Sequence, residues 1–296
     1  MKKLILQGAL TAIVTPFTKS GAVDFPAFRA LLKRQLDGGI NGIVVCGSTG
    51  EAATLNDKEY AEVIKCAVKE AGGYVPVIAG AGSNNTARAI ELSKIAAAQG
   101  VVGLLHVTPF YNKPTPNGLV AHFKAITKAV DLPVILYNVP SRTGSNVLPE
   151  TVIRIAKEVP GVIAVKEASG NINQIRDIIK GAPRGFTVLS GDDAMTLPAM
   201  KLGARGCISV VANEVPKEFA ELCARALAGD WKRATEMHRR LLPLMDINFI
   251  ESNPIPVKTA LSMMGLIQES FRLPLVQMES KNKPRLKKCL QELGLI

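Results

Sequence analysis

Along the chain, short runs of apolar, largely β-branched residues alternate with longer stretches whose apolar positions recur every three or four residues. The short runs are the pattern of strands buried on both faces, and the longer ones that of amphipathic helices laid against them. Strands are predicted at Leu10–Val14, Gly42–Cys46, Val75–Gly80, Gly103–Val107, Pro133–Asn138, Val162–Lys166, Phe186–Ser190 and Gly206–Val210. Helical patterns lie between them, near Asp24–Asp37, Asp57–Ala71, Thr86–Gln99, Asn117–Val130, Pro149–Glu158, Ile172–Ile179 and Ala194–Leu202. Asn56 stands as an N-cap before an acidic first turn, and Gly72-Gly73 and Gly100 sit where helices should stop.

Strand and helix alternate strictly, at a spacing of roughly 25–30 residues per unit, which fits an α/β fold of the closed (β/α)8 TIM-barrel type. An open doubly wound sheet would carry a glycine fingerprint after its first strand, where this chain has Thr15-Pro16-Phe17. After Val211 the strand pattern stops. Helices are predicted around Lys217–Ala228, Trp231–Met245, Pro256–Met264 and Pro284–Leu293. The expected division is a catalytic barrel over 1–228 and a C-terminal helical appendage over 229–296. No low-complexity linker separates the two.

Composition narrows the classes. With 296 residues, 47% of them hydrophobic, the chain can bury a large core. No apolar run approaches the ~18 residues of a membrane span. Met1-Lys2-Lys3 resembles the charged start of a secretion signal. The apolar stretch after it is too short and runs into a strand, so a cytoplasmic protein is expected. Five scattered cysteines without a C-x-x-C pair read as reduced thiols. The net charge of +11 is spread over helix surfaces, apart from one cluster at Lys281, Lys283, Lys287 and Lys288. Aromatics make up only 5% of the chain, so no stacking platform accompanies that charge and no nucleic-acid partner is expected. The histidines at 106, 122 and 238 are far apart and lack an H-E-x-x-H spacing, so neither a metal nor a cofactor is expected.

The chemistry gathers at predicted strand ends, where barrels of this type carry their sites. Lys166 closes the apolar run Gly161-Val162-Ile163-Ala164-Val165. An ammonium there is costly to bury, and desolvation favours the neutral amine, the nucleophile of Schiff-base chemistry with a carbonyl substrate. A lysine that turns to solvent or pairs with Glu167 is the plainer alternative. Gly47-Ser48-Thr49-Gly50-Glu51 follows the second strand as a turn whose successive N–H groups suit a carboxylate. Thr108-Pro109-Phe110-Tyr111-Asn112-Lys113-Pro114 follows the fourth, Tyr137-Asn138-Val139-Pro140-Ser141-Arg142-Thr143-Gly144 the fifth, and Ser190-Gly191-Asp192-Asp193 the seventh. The two aspartates read as a helix-capping pair.

Taken in order, these segments resemble the dihydrodipicolinate synthase family of pyruvate-dependent, class I aldolase-like enzymes, over essentially the whole chain from Gly8, including Asn253-Pro254-Ile255-Pro256-Val257-Lys258. The resemblance implies that Lys166 forms the imine with pyruvate, with Tyr137, Ser48 and Tyr111 as its proton relay. Tyr111 is then expected to reach in from a partner subunit of a homo-oligomer, usually a tetramer built as a dimer of dimers. Thr49 would hold the pyruvate carboxylate, Arg142 would clamp that of L-aspartate 4-semialdehyde, and Gly191 and Ile208 would line the pocket through their backbone. Many members have threonine where this chain has Ser48, a change that keeps the hydroxyl. N-acetylneuraminate lyases, and lyases of keto-deoxy-sugar acids, share the lysine chemistry and form the alternative reading. The S-R-T-G segment around Arg142 resembles the synthases instead. A non-catalytic pyruvate-sensing barrel is a third reading, but it would be expected to have lost Lys166, Tyr137 or the Ser48 hydroxyl.

The same resemblance places an effector site for lysine at Ala52, Asp57, Tyr60, Asn84, Arg88 and Phe110. Members inhibited by lysine carry glutamate at the place of Arg88, and histidine is often seen where Asp57 and Tyr60 stand. Arginine repels an ammonium, so weak or absent inhibition is expected.

Overall fold

A computed structural model describes residues 4–296, so the charged start at Met1–Lys3 lies outside the described residues. Eight parallel strands close on themselves in sequence order. The first half of the barrel runs β1 (Gly8–Ala12), α1 (Phe25–Asp37), β2 (Gly42–Val45), α2 (Asp57–Ala71), β3 (Val77–Gly80), α3 (Thr86–Ala98), β4 (Gly103–Val107) and α4 (Pro116–Ala129). The second half runs β5 (Val134–Asn138), α5 (Pro140–Thr143), α6 (Pro149–Glu158), β6 (Val162–Glu167), α7 (Ile172–Gly181), β7 (Thr187–Ser190), α8 (Thr196–Lys201), β8 (Gly206–Ser209) and α9 (Pro216–Leu227). Three further helices follow: α10 (Trp231–Ile247), α11 (Ile255–Met263) and α12 (Lys283–Glu292).

The helix boundaries follow local chemistry. Asn56 and Glu59 form a reciprocal capping box at the start of α2, and Gly72 ends that helix in the left-handed conformation at φ 53°. The one-turn helix α5 is not predicted by the hydrophobic pattern. Val139-Pro140 starts it and Gly144, at φ 68°, stops it, so a four-residue turn sits where the residues read as a loop. No helix among the described residues is long and apolar enough to cross a membrane.

Two apolar layers hold the fold. The inner one fills the barrel with Leu10, Ala12, Val44, Ile78, Leu105, Ile135, Ala164, Leu189 and Ile208, and Leu6 is packed with them. The outer one lies between strands and helices and continues without a break into Leu241, Leu244, Val257, Leu286 and Leu290 of the C-terminal helices.

Strand β6 departs from simple alternation. Val134 pairs with Val162 but Ile135 pairs with Ala164, so Ile163 is an extra residue opposite β5. Val162 and Val165 belong to the outer layer, whereas Ala164 packs in the inner one and Ile163 against it. Two consecutive residues facing the same way is the signature of a β-bulge. From there on, Lys166 faces inward and Glu167 outward.

Two histidines lie in the outer layer. His106 of β4 has its Nε2 3.2 Å from Ser93 Oγ, and His122 of α4 has its Nδ1 2.9 Å from Thr86 Oγ1. Burial pushes His106 down to about 3 and His122 down to about 4, from an ordinary value of 6.5. Both rings are therefore neutral in the fold. The unfolded chain takes up protons first, so this stability is complete above pH 6.5 and drains away as pH falls toward the folded values. Burial raises the carboxyls of Asp193 and Glu214, which act in the opposite sense on acidification, so a difference measurement isolates a ring. Between pH 7 and pH 5 the wild-type chain is expected to lose about 2 kcal/mol more than His122→Gln in urea unfolding. Parallel losses would contradict this account.

Candidate active site

The bulge delivers Lys166 to the carboxyl end of the barrel interior, where it is 5% exposed. In register beside it, Tyr137 of β5 presents its ring, with Lys166 Nζ 4.4 Å from the centroid. Lys166 enters no ion pair among the described residues; the adjacent acid, Glu167, is held on the opposite side of the strand. There Glu167 accepts from Asn138 Nδ2 at 3.0 Å, the Ser169 backbone N–H at 2.8 Å and Gln174 Nε2 at 3.2 Å. Burial raises the Glu167 carboxyl despite those donors. The alternative of a Lys166–Glu167 pair therefore fails on geometry.

Gly191, after β7, lies flat against this amine. A Cβ built there would stand 2.7 Å from Ala168 Cβ and 2.9 Å from Lys166 Cε, so only glycine leaves the lysine its place. Ile208 of β8 is fully buried in the inner layer. The aspartates after Gly191 divide their work. Asp192 Oδ1 accepts from Met195 N at 3.2 Å and so closes the turn that leads into α8, whose N-cap position is Met195 with no side-chain cap, so neither aspartate is the helix cap that the pair suggests. Asp193 does not cap that helix. Its carboxylate crosses to the turn after β8 and accepts from the N–H groups of Val210 and Val211 at 3.0 and 2.8 Å.

The turn after β2 is bounded by two non-glycine residues in the left-handed region, Cys46 at φ 53° and Glu51 at φ 51°. Such backbone costs of order 1–3 kcal/mol per residue and persists only where surroundings hold it. Within the turn, Gly50 and Glu51 donate to Gly47 O and Ser48 O at 3.1 Å, and Ala52 donates to Gly47 O at 3.4 Å. This leaves the N–H groups of Ser48 and Thr49 without an acceptor among the described residues. Thr49 is buried and its Oγ1 accepts from Asn253 Nδ2 at 2.9 Å, so its own proton is free to donate. The Ser48 side is exposed. Successive N–H groups and a hydroxyl with no acceptor among the described residues are donors of the kind a carboxylate needs.

Arg142 stands on α5, and its Nη2 donates to the backbone oxygen of Asn253 at 2.9 Å. Asn253 thus ties Thr49 and Arg142 together from the C-terminal region. Nothing in the residues alone gives Asn253 this role; an asparagine ahead of a proline-rich helix start is its only signal. Tyr111 is not brought into this chain's own site. It is 88% exposed at φ 68° on a loop docked to the α5 turn by Tyr111 N–H to Thr143 O at 3.4 Å.

Of the six positions expected for an effector, the structure joins Arg88 to Asp57 and sets Asn84 against the loop that carries Phe110. Arg88 binds Asp57 through both terminal nitrogens and Glu91 at 2.8 Å, and this pairing holds the Asp57 carboxyl below its usual range. Asn84 O accepts from Asn112 Nδ2 at 2.9 Å, next to the exposed Phe110. Ala52 opens a 3-10 turn that runs to Thr54, just before α2. Tyr60 is buried and its hydroxyl donates to Gly80 O at 2.9 Å, which commits its one proton within the chain.

Gly191→Ala is expected to slow reductive labelling of Lys166 by a small ketone and borohydride by at least about tenfold, as a displacement of roughly an ångström would. An unchanged labelling rate would mean that the amine has room to spare.

The model of the dihydrodipicolinate synthetase family matches residues 5–293. A curated relative, the 4-hydroxy-tetrahydrodipicolinate synthase of Maridesulfovibrio salexigens, is 54% identical over 293 residues, covering 99% of this chain and 100% of its own. The crystal structure of dihydrodipicolinate synthase from Thermotoga maritima superposes with a TM-score of 0.96 at 44% identity, over 98% of this chain and 99% of its own. The chloride-inhibited dihydrodipicolinate synthase of Acinetobacter baumannii, complexed with pyruvate, gives 0.97 at 44% identity, over 99% of this chain and 100% of its own.

Proposed function

Because the chain belongs to the dihydrodipicolinate synthetase family, we propose that the residues at its barrel rim carry out that family's condensation, with Lys166 as the nucleophile. The enzyme condenses pyruvate with L-aspartate 4-semialdehyde to give 4-hydroxy-tetrahydrodipicolinate, the first committed step of the diaminopimelate route to lysine. The observation that carries the residue assignment is Lys166, an inward amine packed on Tyr137 with no carboxylate to pair with.

Lys166 Nζ attacks the ketone carbon of pyruvate, and loss of water gives the imine. The Ser48 and Thr49 N–H groups and the Thr49 hydroxyl receive the pyruvate carboxylate. Removal of a methyl proton turns the imine into an enamine, whose carbon attacks the aldehyde. The amine of the second substrate then displaces Lys166 and closes the ring. Each step moves a proton inside a restricted pocket. Tyr137, Ser48 and a Tyr111 from a second copy supply the hydroxyls that carry it. Arg142 holds the semialdehyde carboxylate in a fork that a planar anion fits. Gly191 and Ile208 keep the walls close.

The exposed, left-handed Tyr111 loop favours a homo-oligomer, at least a dimer and in this reading a dimer of dimers. Five free cysteines fit the reducing cytoplasm.

Lys166→Ala is expected to abolish borohydride trapping of pyruvate, since alanine offers no amine; full labelling of that variant would refute the assignment. Arg142→Ala should raise the KM for the semialdehyde by about a hundredfold, in line with loss of a charge-assisted pair, with trapping of pyruvate unchanged. Turnover of N-acetylmannosamine in place of the semialdehyde would move the chain to the sugar-acid lyases.

Arg88 is also proposed to blunt the effector site, because its guanidinium already occupies the Asp57 and Glu91 carboxylates and sets a positive charge where an ammonium would have to sit. L-lysine is expected to inhibit weakly or not at all. A saturating inhibition curve with a sub-millimolar midpoint would overturn that.

A further inference from the structure

Below the carboxylate-binding turn lies a second fully buried lysine that the reaction does not use. Lys258 of α11 pairs with Glu51, the last residue of the turn, and both side chains are 0% exposed. The Lys258 ammonium is boxed in by aromatic faces, 4.4 Å from the Phe17 centroid and 4.9 Å from that of Phe271. Desolvation pulls its pKa down, against the attraction of Glu51. The other Glu51 oxygen accepts from the backbone N–H of Arg272 at 3.4 Å. The Arg272 guanidinium in turn holds Thr54 O at 2.8 Å and the Glu59 carboxylate at 2.5 and 2.8 Å, and stacks 4.4 Å from the same Phe17.

Two contacts of this assembly, from Lys258 Nζ and the Arg272 backbone N–H, reach the carboxylate of Glu51 at the far end of the Gly47–Glu51 turn, whose left-handed backbone needs outside support, while Arg272 ties the same assembly to Gly21 O and to Glu59. The nearer end is held by Asn253, five residues before Lys258 on the lead-in to the same helix. Thr15 Oγ1 adds a bond to Gly50 O at 2.8 Å.

Resting on the reading of Lys166 and Thr49 above, we propose that Lys258 is a positioning residue for pyruvate: its bond to Glu51 fixes the end of the strained turn that carries the Ser48–Thr49 donor set. Lys258 touches no substrate. It acts through Glu51 on where the carboxylate rests, and so on how much pyruvate is needed to load Lys166.

The test uses the full chain, with pyruvate and borohydride as the probe, in the wild type, Lys258→Met and the doubly neutral Glu51→Gln/Lys258→Met. The labelled fraction of Lys166 is read against pyruvate concentration, alongside the melting temperature. Lys258→Met is expected to raise the half-saturating pyruvate concentration at least about tenfold while reaching the same plateau of label, as loss of a positioning contact does. The double variant, which leaves no unpaired buried charge, is expected to regain melting temperature but keep the raised half-saturation. In combination with Thr49→Val, the effect of Lys258→Met should be less than additive, because both act on one turn. Half-saturation in the double variant equal to wild type would overturn the proposal and leave the pair a stabilising role alone. A double variant that fails to fold would overturn it too, by placing the pair in the fold rather than the turn. Absence of label in the wild type itself would overturn the underlying reading of Lys166, and is distinguished by failing before any variant is made.

Discussion

The inside of an eight-stranded parallel barrel accepts only alternate residues of each strand, so one residue of register decides which side chains the site receives. On β6 that decision is made at Ile163. Without the extra residue, strict alternation from outward-facing Val162 would turn Lys166 toward the helices and Glu167 toward the barrel. The bulge reverses this, and three neighbours depend on it. Tyr137 gains the amine over its ring, Gly191 is confined to a residue without a side chain, and Glu167 finds the amides of Asn138 and Gln174 instead of a lysine.

Much of this architecture is legible in the residues. Continuous β-branched runs, cap residues and glycine stops place eight strands and their helices, because both depend on local pattern. Lys166 stands out because a charge closing an apolar strand has few plain explanations. The bulge is not legible, since Val162-Ile163-Ala164-Val165 is apolar throughout and carries no alternation from which a slip could be read. The α5 turn escapes notice because a tetrapeptide leaves no periodic signal. Asp193 is misassigned as a cap for a related reason: its partners, Val210 and Val211, lie far along the chain and only the fold brings them near. The bond of the Tyr60 hydroxyl to Gly80 O is likewise out of reach of the sequence, because only packing brings α2 over β3.

Two acids are buried here on different terms. Glu167 is satisfied by neutral amides and a backbone N–H, and burial still raises its carboxyl. Glu51 is met by a full positive charge. A buried ion pair of this kind is often no more stabilising than an apolar pair of equal volume, and breaking one partner costs about 3–5 kcal/mol. Stability alone is thus a weak reason to keep Glu51 and Lys258 inside. A strong, directional bond at the end of a strained turn is a better one.

Glu51 and Lys258 are 207 residues apart in the chain. During synthesis, all eight strands and α9 are made before the residue that completes the second strand's turn. Contacts of such high sequence separation form late, after the loop between them has been closed against its entropy. A nascent chain can therefore possess all eight strands, Lys166 included, while the Gly47–Glu51 turn still lacks its Lys258 partner. The turn is completed with the last helices rather than with the barrel.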